Sequence, residues 1–353
     1  MGHLAPLEPI ARRSARRDRP NTVIRNGFTW EASGVASSAS VLACVIAKGA
    51  VDEMKSPRLT IVIAVKGGEA NLASILQRLA SADAAVVEVL FCVAGPAPEA
   101  LRSGAGFRLI EADAADLVPQ LWRDGFLAAQ SDRVALTTAQ FVPPKGWIDG
   151  LLAADLDQWA GVGGPIENDA ENNPVRWAVY FLRYWKFAPP VRFGVVDEIA
   201  ADNAVYRRAE VMKHPDLLAA GFWEPSFHAR FRADGQGLCL DARLVSRYRG
   251  QDGVGAFSRL RFAHGREFAV TRGRGRSRAA SVAYLAATPL LPALLLGRIL
   301  SKAVQQRALF LRMAQALPWL LLFVTAWSLG EARGYLDAAL GRRGSHPQGV
   351  HQA

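Results

Sequence analysis

Two carboxylates and one polar triplet stand where this chain could do chemistry. Glu224 follows Gly221-Phe222-Trp223 and opens a helical run, Phe227 to Ala233. A carboxylate at a helix N-terminus is kept ionised by the macrodipole, the state from which it can accept a proton. The macrodipole favours an acid there for structural reasons as well, so position alone assigns no role. Glu69 has the same standing, at the start of a helix with Leu72, Ile75, Leu76 and Leu79 on one face. The triplet Thr138-Ala139-Gln140 comes straight after a β-prone run, Val134 to Thr137, and shortly before Pro143-Pro144, which can neither continue a strand nor sit inside a helix. A strand that empties into such a loop leaves a crevice at its C-terminal end, where open α/β sheets bind ligands. His228, one turn after Glu224, reads as a packing or surface residue. Cys44, Cys92 and Cys239 are scattered, with no Cys-x-x-Cys spacing. That pattern excludes a disulfide framework and a thiolate metal site, and fits a reducing compartment.

The elements that must position these residues alternate. Leu59 to Val65 is a buried-strand run, Lys66-Gly67-Gly68 a turn, and Glu69 to Leu79 a helix. Strands at Val86 to Val93 and Phe107 to Glu111 and a helix from Ala114 to Ala129 lead to the strand at Val134. Such alternation predicts an α/β fold, a mostly parallel Rossmann-like sheet with right-handed crossovers and flanking helices. Farther on, a helix covers Ile148 to Ala154, and Ala160 to Pro165 is a strand end and turn. Trp177 to Lys186 carries Tyr180, Phe181, Tyr184 and Trp185, a stripe that reads first as core, with a lipid-facing lip or a sugar-stacking surface as alternatives. Leu238 to Tyr248 reads as one closing strand.

In this order the segments resemble a family-2 glycosyltransferase of the GT-A fold, over about residues 58 to 275. Leu59 to Leu72 is similar to the family's opening strand with Pro-x-x-Asn-Glu and Asn-Leu, with Ala64 for the proline, Gly67 for the asparagine and Glu69 one place late. Val93-Ala94-Gly95-Pro96 keeps the glycine turn of the Asp-Asp-Gly-Ser signature without its acid, and Arg123 and Gly125 match an Arg-x-x-Gly region. Thr138-Ala139-Gln140 occupies the place of the Asp-x-Asp triplet, before the prolines and Gly146-Trp147-Ile148. The resemblance implies a nucleotide-sugar donor held by Val65, Lys66, Glu69, Ala94, Arg123, Thr138 and Gln140. It implies an acceptor beside Asn203 and Trp223, and inverting transfer with Glu224 as general base. The family's cofactor is a divalent cation, Mg or Mn, that neutralises the diphosphate. Here its usual ligands are replaced, Gln140 offers one oxygen at most, and Arg123 is the candidate substitute cation.

The chain carries 42 Lys+Arg against 32 Asp+Glu, a net charge of +10. Nucleic acid or an anionic membrane surface would account for that excess; Arg272, Arg274, Arg276 and Arg278 directly precede an apolar run, which selects membrane lipid as the partner and no nucleic acid. Two apolar stretches, Ala279 to Gly297 and Met313 to Gly330, are each about the roughly 20 residues that a bilayer-spanning helix needs. Pro289 and Pro292 interrupt the first, and Arg298, Lys302, Arg307 and Arg312 crowd the connection. Placing that connection outside breaks the positive-inside rule, whereas a re-entrant or interfacial hairpin does not. The expected organisation is an N-terminal extension at 1–57, disordered or upstream of a true start at Met54, then a GT-A-like domain at 58–256. A basic juxtamembrane link at 257–278, a membrane hairpin at 279–340 and a disordered tail at 341–353 follow. The implied function is sugar transfer to a lipid-linked or cell-envelope glycan acceptor at the inner membrane, from the cytosolic side. The alternative is an inactive relative that serves as a binding or assembly subunit of an envelope-polysaccharide complex.

Overall fold

The structure is a computed structural model of the chain, and it describes residues 57–170, 172–251, 253–273, 276–303 and 307–340. The tail expected at 341–353, and all but the last residue of the extension expected at 1–57, lie outside the described residues.

The strands are β1 (Leu59–Val65), β2 (Val87–Ala94), β3 (Arg108–Ala112), β4 (Arg133–Thr138), β5 (Phe141–Val142), β6 (Gly161–Gly163), β7 (Ile166–Asn168), β8 (Gly194–Val196), β9 (Ala204–Arg207), β10 (Leu238–Leu240) and β11 (Ser246–Tyr248). The longer helices are α1 (Leu72–Leu79), α2 (Val118–Ala128), α3 (Trp147–Ala153), α4 (Pro174–Tyr184), α5 (Glu224–Ala233), α6 (Val254–Gly273), α7 (Arg278–Ala287), α8 (Leu291–Ala303) and α9 (Arg307–Ala339). The main sheet runs β3-β2-β1-β4-β9-β6-β10-β8, with β9 and β8 antiparallel to their neighbours and the others in one direction. A second sheet, β5-β11-β7, sits beside it in the chain's path. The fold is therefore α/β, with a mostly parallel central sheet flanked by helices.

β1 is buried along its whole length because its alternate side chains enter two cores. Leu59, Ile61, Ile63 and Val65 pack with α1, and Val62 and Ala64 pack with Leu121, Trp122 and Phe126 of α2. A parallel strand covered on both faces has no polar side to show. Gly125 lets α2 lie directly on the strand, since a Cβ there would come within 2.2 Å of Val62 Cγ1.

Three expectations change. The helix expected from Ala114 begins at Val118, because Asp113 Oδ1 accepts from the Ala115 N–H (2.8 Å) in a tight turn and Gln120 Oε1 accepts from the Leu117 N–H (3.0 Å) at the cap. The single closing strand is two, β10 and β11, in different sheets; between them Asp241 accepts from the backbone and side chain of Arg243 and turns the chain. The link at 257–278 is mostly helix, α6, which packs along α9. Glycines permit that approach: a Cβ would fall 2.2 Å from the Trp327 carbonyl at Gly265, 2.1 Å from the Phe262 carbonyl at Gly330 and 2.5 Å from the Arg266 carbonyl at Gly334.

The prolines of the first apolar stretch produce a 3-10 turn at Thr288–Leu290 between α7 and α8. Arg278–Leu300 and Leu309–Ala339 are each long and apolar enough to cross a membrane. Leu290, Leu294, Leu311, Leu321, Leu322 and Leu329 are exposed along them. The aromatic stripe of α4 is core: Val179, Tyr180, Phe181 and Tyr184 pack in one cluster with Phe257 of α6 and with Met313, Ala316, Leu320 and Phe323 of α9. That cluster joins the helical end of the molecule to the sheet.

Candidate active site

β1 and β4 lie side by side and parallel, so the Lys66-Gly67-Gly68 turn and the Thr138-Ala139-Gln140 loop leave the sheet at the same edge. They touch: Gly68, at φ +85°, lies so close that a Cβ would stand 2.5 Å from the Ala139 carbonyl oxygen. Asn71 pins the two loops, its Nδ2 donating to the carbonyls of Ala139 (2.9 Å) and Arg249 (3.2 Å). Above them opens a cavity of about 360 Å³. Lys66, Gly67, Thr138 and Gln140 form one part of its lining, and the start of α2 with Phe222, Trp223 and Glu224 forms another. Arg183 and Asp202 reach in from α4 and the turn before β9, and Leu260, His264 and Phe268 of α6 with Trp327 of α9 complete it.

Glu224 is the first residue of α5. It is half-buried in the cavity wall, and its Oε1 accepts from the Ala201 N–H. Burial first, and then the neighbouring charge of Asp202, raise its pKa to about 8. The Asp202 carboxyl is raised as well, by burial, against the pull of Arg183 and of hydrogen bonds from Tyr184 and Thr138. Two carboxylates held this way favour a shared proton, and the one that is ionised is a stronger base than a solvated glutamate. His228, by contrast, is buried against Tyr206, 3.0 Å from its hydroxyl; burial lowers its pKa to about 3, so it is a neutral packing residue.

The cavity thus gathers Lys66, Thr138, Gln140, Trp223 and Glu224 from the expected set. Val65, Glu69, Ala94, Arg123 and Asn203 are outside its lining. Val65 is buried in the sheet, and Glu69 shapes the turn, accepting from the Gly67 N–H at 3.1 Å. Arg123 turns aside, its Nε donating to Asp124 (2.8 Å) and its Nη1 reaching the Ala219 carbonyl (3.5 Å), so it does not stand where a cation is wanted. Asn203, placed beside the acceptor by the sequence, is fully buried. Its amide donates to the carbonyls of Pro165 (3.0 Å) and Leu244 (2.7 Å) and accepts from Trp147 Nε1 (2.8 Å), which ties both sheets to α3.

Sequence reasoning missed Asp202 and Arg183. Asp202 directly precedes Asn203, inside a segment already singled out. Arg183 gave no signal, since it sits in the aromatic helix between Tyr180 and Tyr184 and differs from that stripe only in pointing off the core. Its Nη1 donates to Gln140 Oε1 at 2.9 Å.

A divalent cation does not fit these residues. Thr138-Ala139-Gln140 offers one amide oxygen, which Arg183 already engages. Among the described residues no group of three or more His, Cys, Asp or Glu converges to hold a metal.

No protein-family model matches the chain, and no curated protein matches it in sequence. Among solved structures the chain is similar to a glycosyltransferase, the mannosyltransferase PcManGT from Pyrobaculum calidifontis in complex with GDP-Man and Mn2+. The two share 15% identity over 83% of this chain and 94% of that one, at a TM-score of 0.46.

Proposed function

We propose that this chain is a membrane-associated, GT-A-type glycosyltransferase, resembling family 2, that moves a sugar from a nucleotide-diphosphate-sugar donor to a lipid-linked acceptor with inversion. Glu224 carries the reading: a helix-N-terminal carboxylate with its pKa raised to about 8, in a cavity of about 360 Å³ that also holds Lys66 and Arg183. In the reaction the acceptor hydroxyl oxygen forms a bond to the anomeric carbon while the bond from that carbon to the β-phosphate oxygen breaks. The hydroxyl proton passes to Glu224, and the nucleoside diphosphate leaves with the electron pair. Lys66, Thr138 and Gln140 are assigned to the donor and Trp223 to the acceptor.

The acceptor class follows from the lip. Leu260, His264, Phe268 and Trp327 belong to α6 and α9, and α9 is one of the two stretches apolar enough for a bilayer. A lipid-linked hydroxyl arriving along those helices meets the cavity without leaving the membrane. The donor, made in the cytosol, places the cavity on the cytosolic face of the inner membrane.

The test is donor turnover by membranes that hold the full-length protein, over a panel of nucleotide-sugars, beside Glu224→Gln. Loss of a general base costs about 10²–10⁴-fold in rate, and that loss is expected for at least one donor. If no donor is consumed and Glu224→Gln supports normal envelope function in cells, the chain is an assembly subunit instead.

A further inference from the structure

Granted the glycosyltransferase reading, we infer that Arg183, with Lys66, takes the place of the divalent cation, so that donor binding by this chain needs no metal. The position usually given to a metal-binding acid holds Gln140, and what Gln140 binds is a guanidinium, at 2.9 Å. An amide is the right anchor for that purpose. An aspartate at 140 would hold Arg183 equally well but would neutralise it, whereas the amide oxygen orients the guanidinium and leaves its charge for a ligand.

The geometry of guanidinium supports the same use. Its five N–H donors lie in one plane, so a single donor can be given to Gln140 while others face the cavity and match two phosphate oxygens. Lys66, at the end of β1, is fixed in a comparable way by neutral groups: its Nζ donates to the carbonyls of Ala114 (3.1 Å) and Asp116 (2.5 Å). Both cations line the cavity at the edge where β1 and β4 end. Two single charges there equal the double charge of the cation they replace, and the diphosphate of a nucleotide-sugar carries about two negative charges at neutral pH, each phosphate having lost its first proton. As the sugar departs the leaving group gains one more, which is where preorganised positive charge contributes most. Arg183 also faces Asp202, whose carboxyl it helps to keep ionised. The same side chain therefore spans the donor end of the cavity and the pair of acids.

Binding of nucleoside diphosphates (UDP, GDP, dTDP and ADP) to the full-length protein in detergent, by calorimetry in EDTA and again in excess Mg or Mn, separates the inference from the reading it rests on. At least one of them is expected to bind with the same Kd in EDTA as with metal, and Arg183→Gln is expected to weaken that binding tenfold or more. Gln140→Asp is expected to weaken metal-free binding too, by neutralising Arg183, and thermal unfolding of each variant reports that it is folded. Binding that disappears in EDTA, or that survives Arg183→Gln unchanged in a folded protein, overturns the metal-free inference and leaves the glycosyltransferase standing. Failure of every nucleoside diphosphate to bind, with metal or without, overturns the donor assignment and the inference together.

Discussion

Glu224 and Asp202 share one cavity, and the pH behaviour of the site follows from that. Glu224 must be ionised to take a proton, and its pKa is raised to about 8, chiefly by burial and then by Asp202, with Glu198 adding a little and Arg183 opposing. The expected kcat/KM therefore climbs with pH and levels off above about 8. Asp202→Asn removes a negative neighbour and should move that rising limb to lower pH; a limb that stays in place would show that the two acids titrate independently. Stability responds with the opposite sign. A carboxylate whose folded pKa lies above its ordinary 4.5 gives the native state the tighter hold on the proton, so its contribution is complete below about 4.5 and is lost as pH rises through about 8. Glu224→Gln removes that loss. The variant should melt higher than the parent at pH above 8, with the advantage fading in acid, and a thermal-unfolding series across pH measures it.

At the level of elements, α6 and α9 act as one piece because glycines bring their backbones together. Gly330 and Gly334 are four residues apart, the small-x-x-x-small spacing by which helices approach closely in or near a bilayer. The contact is reinforced at its far end, where Arg266 Nη2 meets the buried Asp337 carboxylate at 2.9 Å. Cavity residues Leu260, His264 and Phe268 on one helix and Trp327 on the other depend on this pairing. Gly330→Val should force the helices apart, since even a Cβ would fall 2.1 Å from the Phe262 carbonyl. Overpacking of this kind costs about 1–3 kcal/mol. In transfer assays the variant should raise KM for the acceptor more than KM for the donor, because the donor-side residues Lys66, Thr138 and Gln140 come from other elements. Gly297→Val, with nothing within 4 Å of the new Cβ, is the control.

For the molecule as a whole, the question is what holds it to a membrane. Its net charge of +10 draws it to an anionic surface, at about 1 kcal/mol per Lys or Arg near the headgroups, and salt screens that attraction. The exposed leucines of α7 to α9 present a different force, apolar burial, which salt does not weaken. The full-length protein should therefore float with lipid vesicles and remain with them in high salt. Release by salt alone would assign the attachment to charge and would contradict a bilayer-inserted hairpin.

The sequence by itself determined the strands, the order of elements and the edge at which the cavity opens. Those features are written in local pattern: an unbroken apolar run such as Leu59 to Val65 has one solution, a strand covered on both faces. The loop after Val134 to Thr137 announced itself by its prolines, and the apolar helices by their length. Only the tertiary structure decided which side chains meet. It set Glu224 beside Asp202, and Arg183 on Gln140, 43 positions away. It also withdrew Asn203 and Arg123 into the frame. Local periodicity tells which face of an element is buried, but a cavity is lined by the ends of several elements, and their meeting depends on strand order and helix packing far apart in the chain.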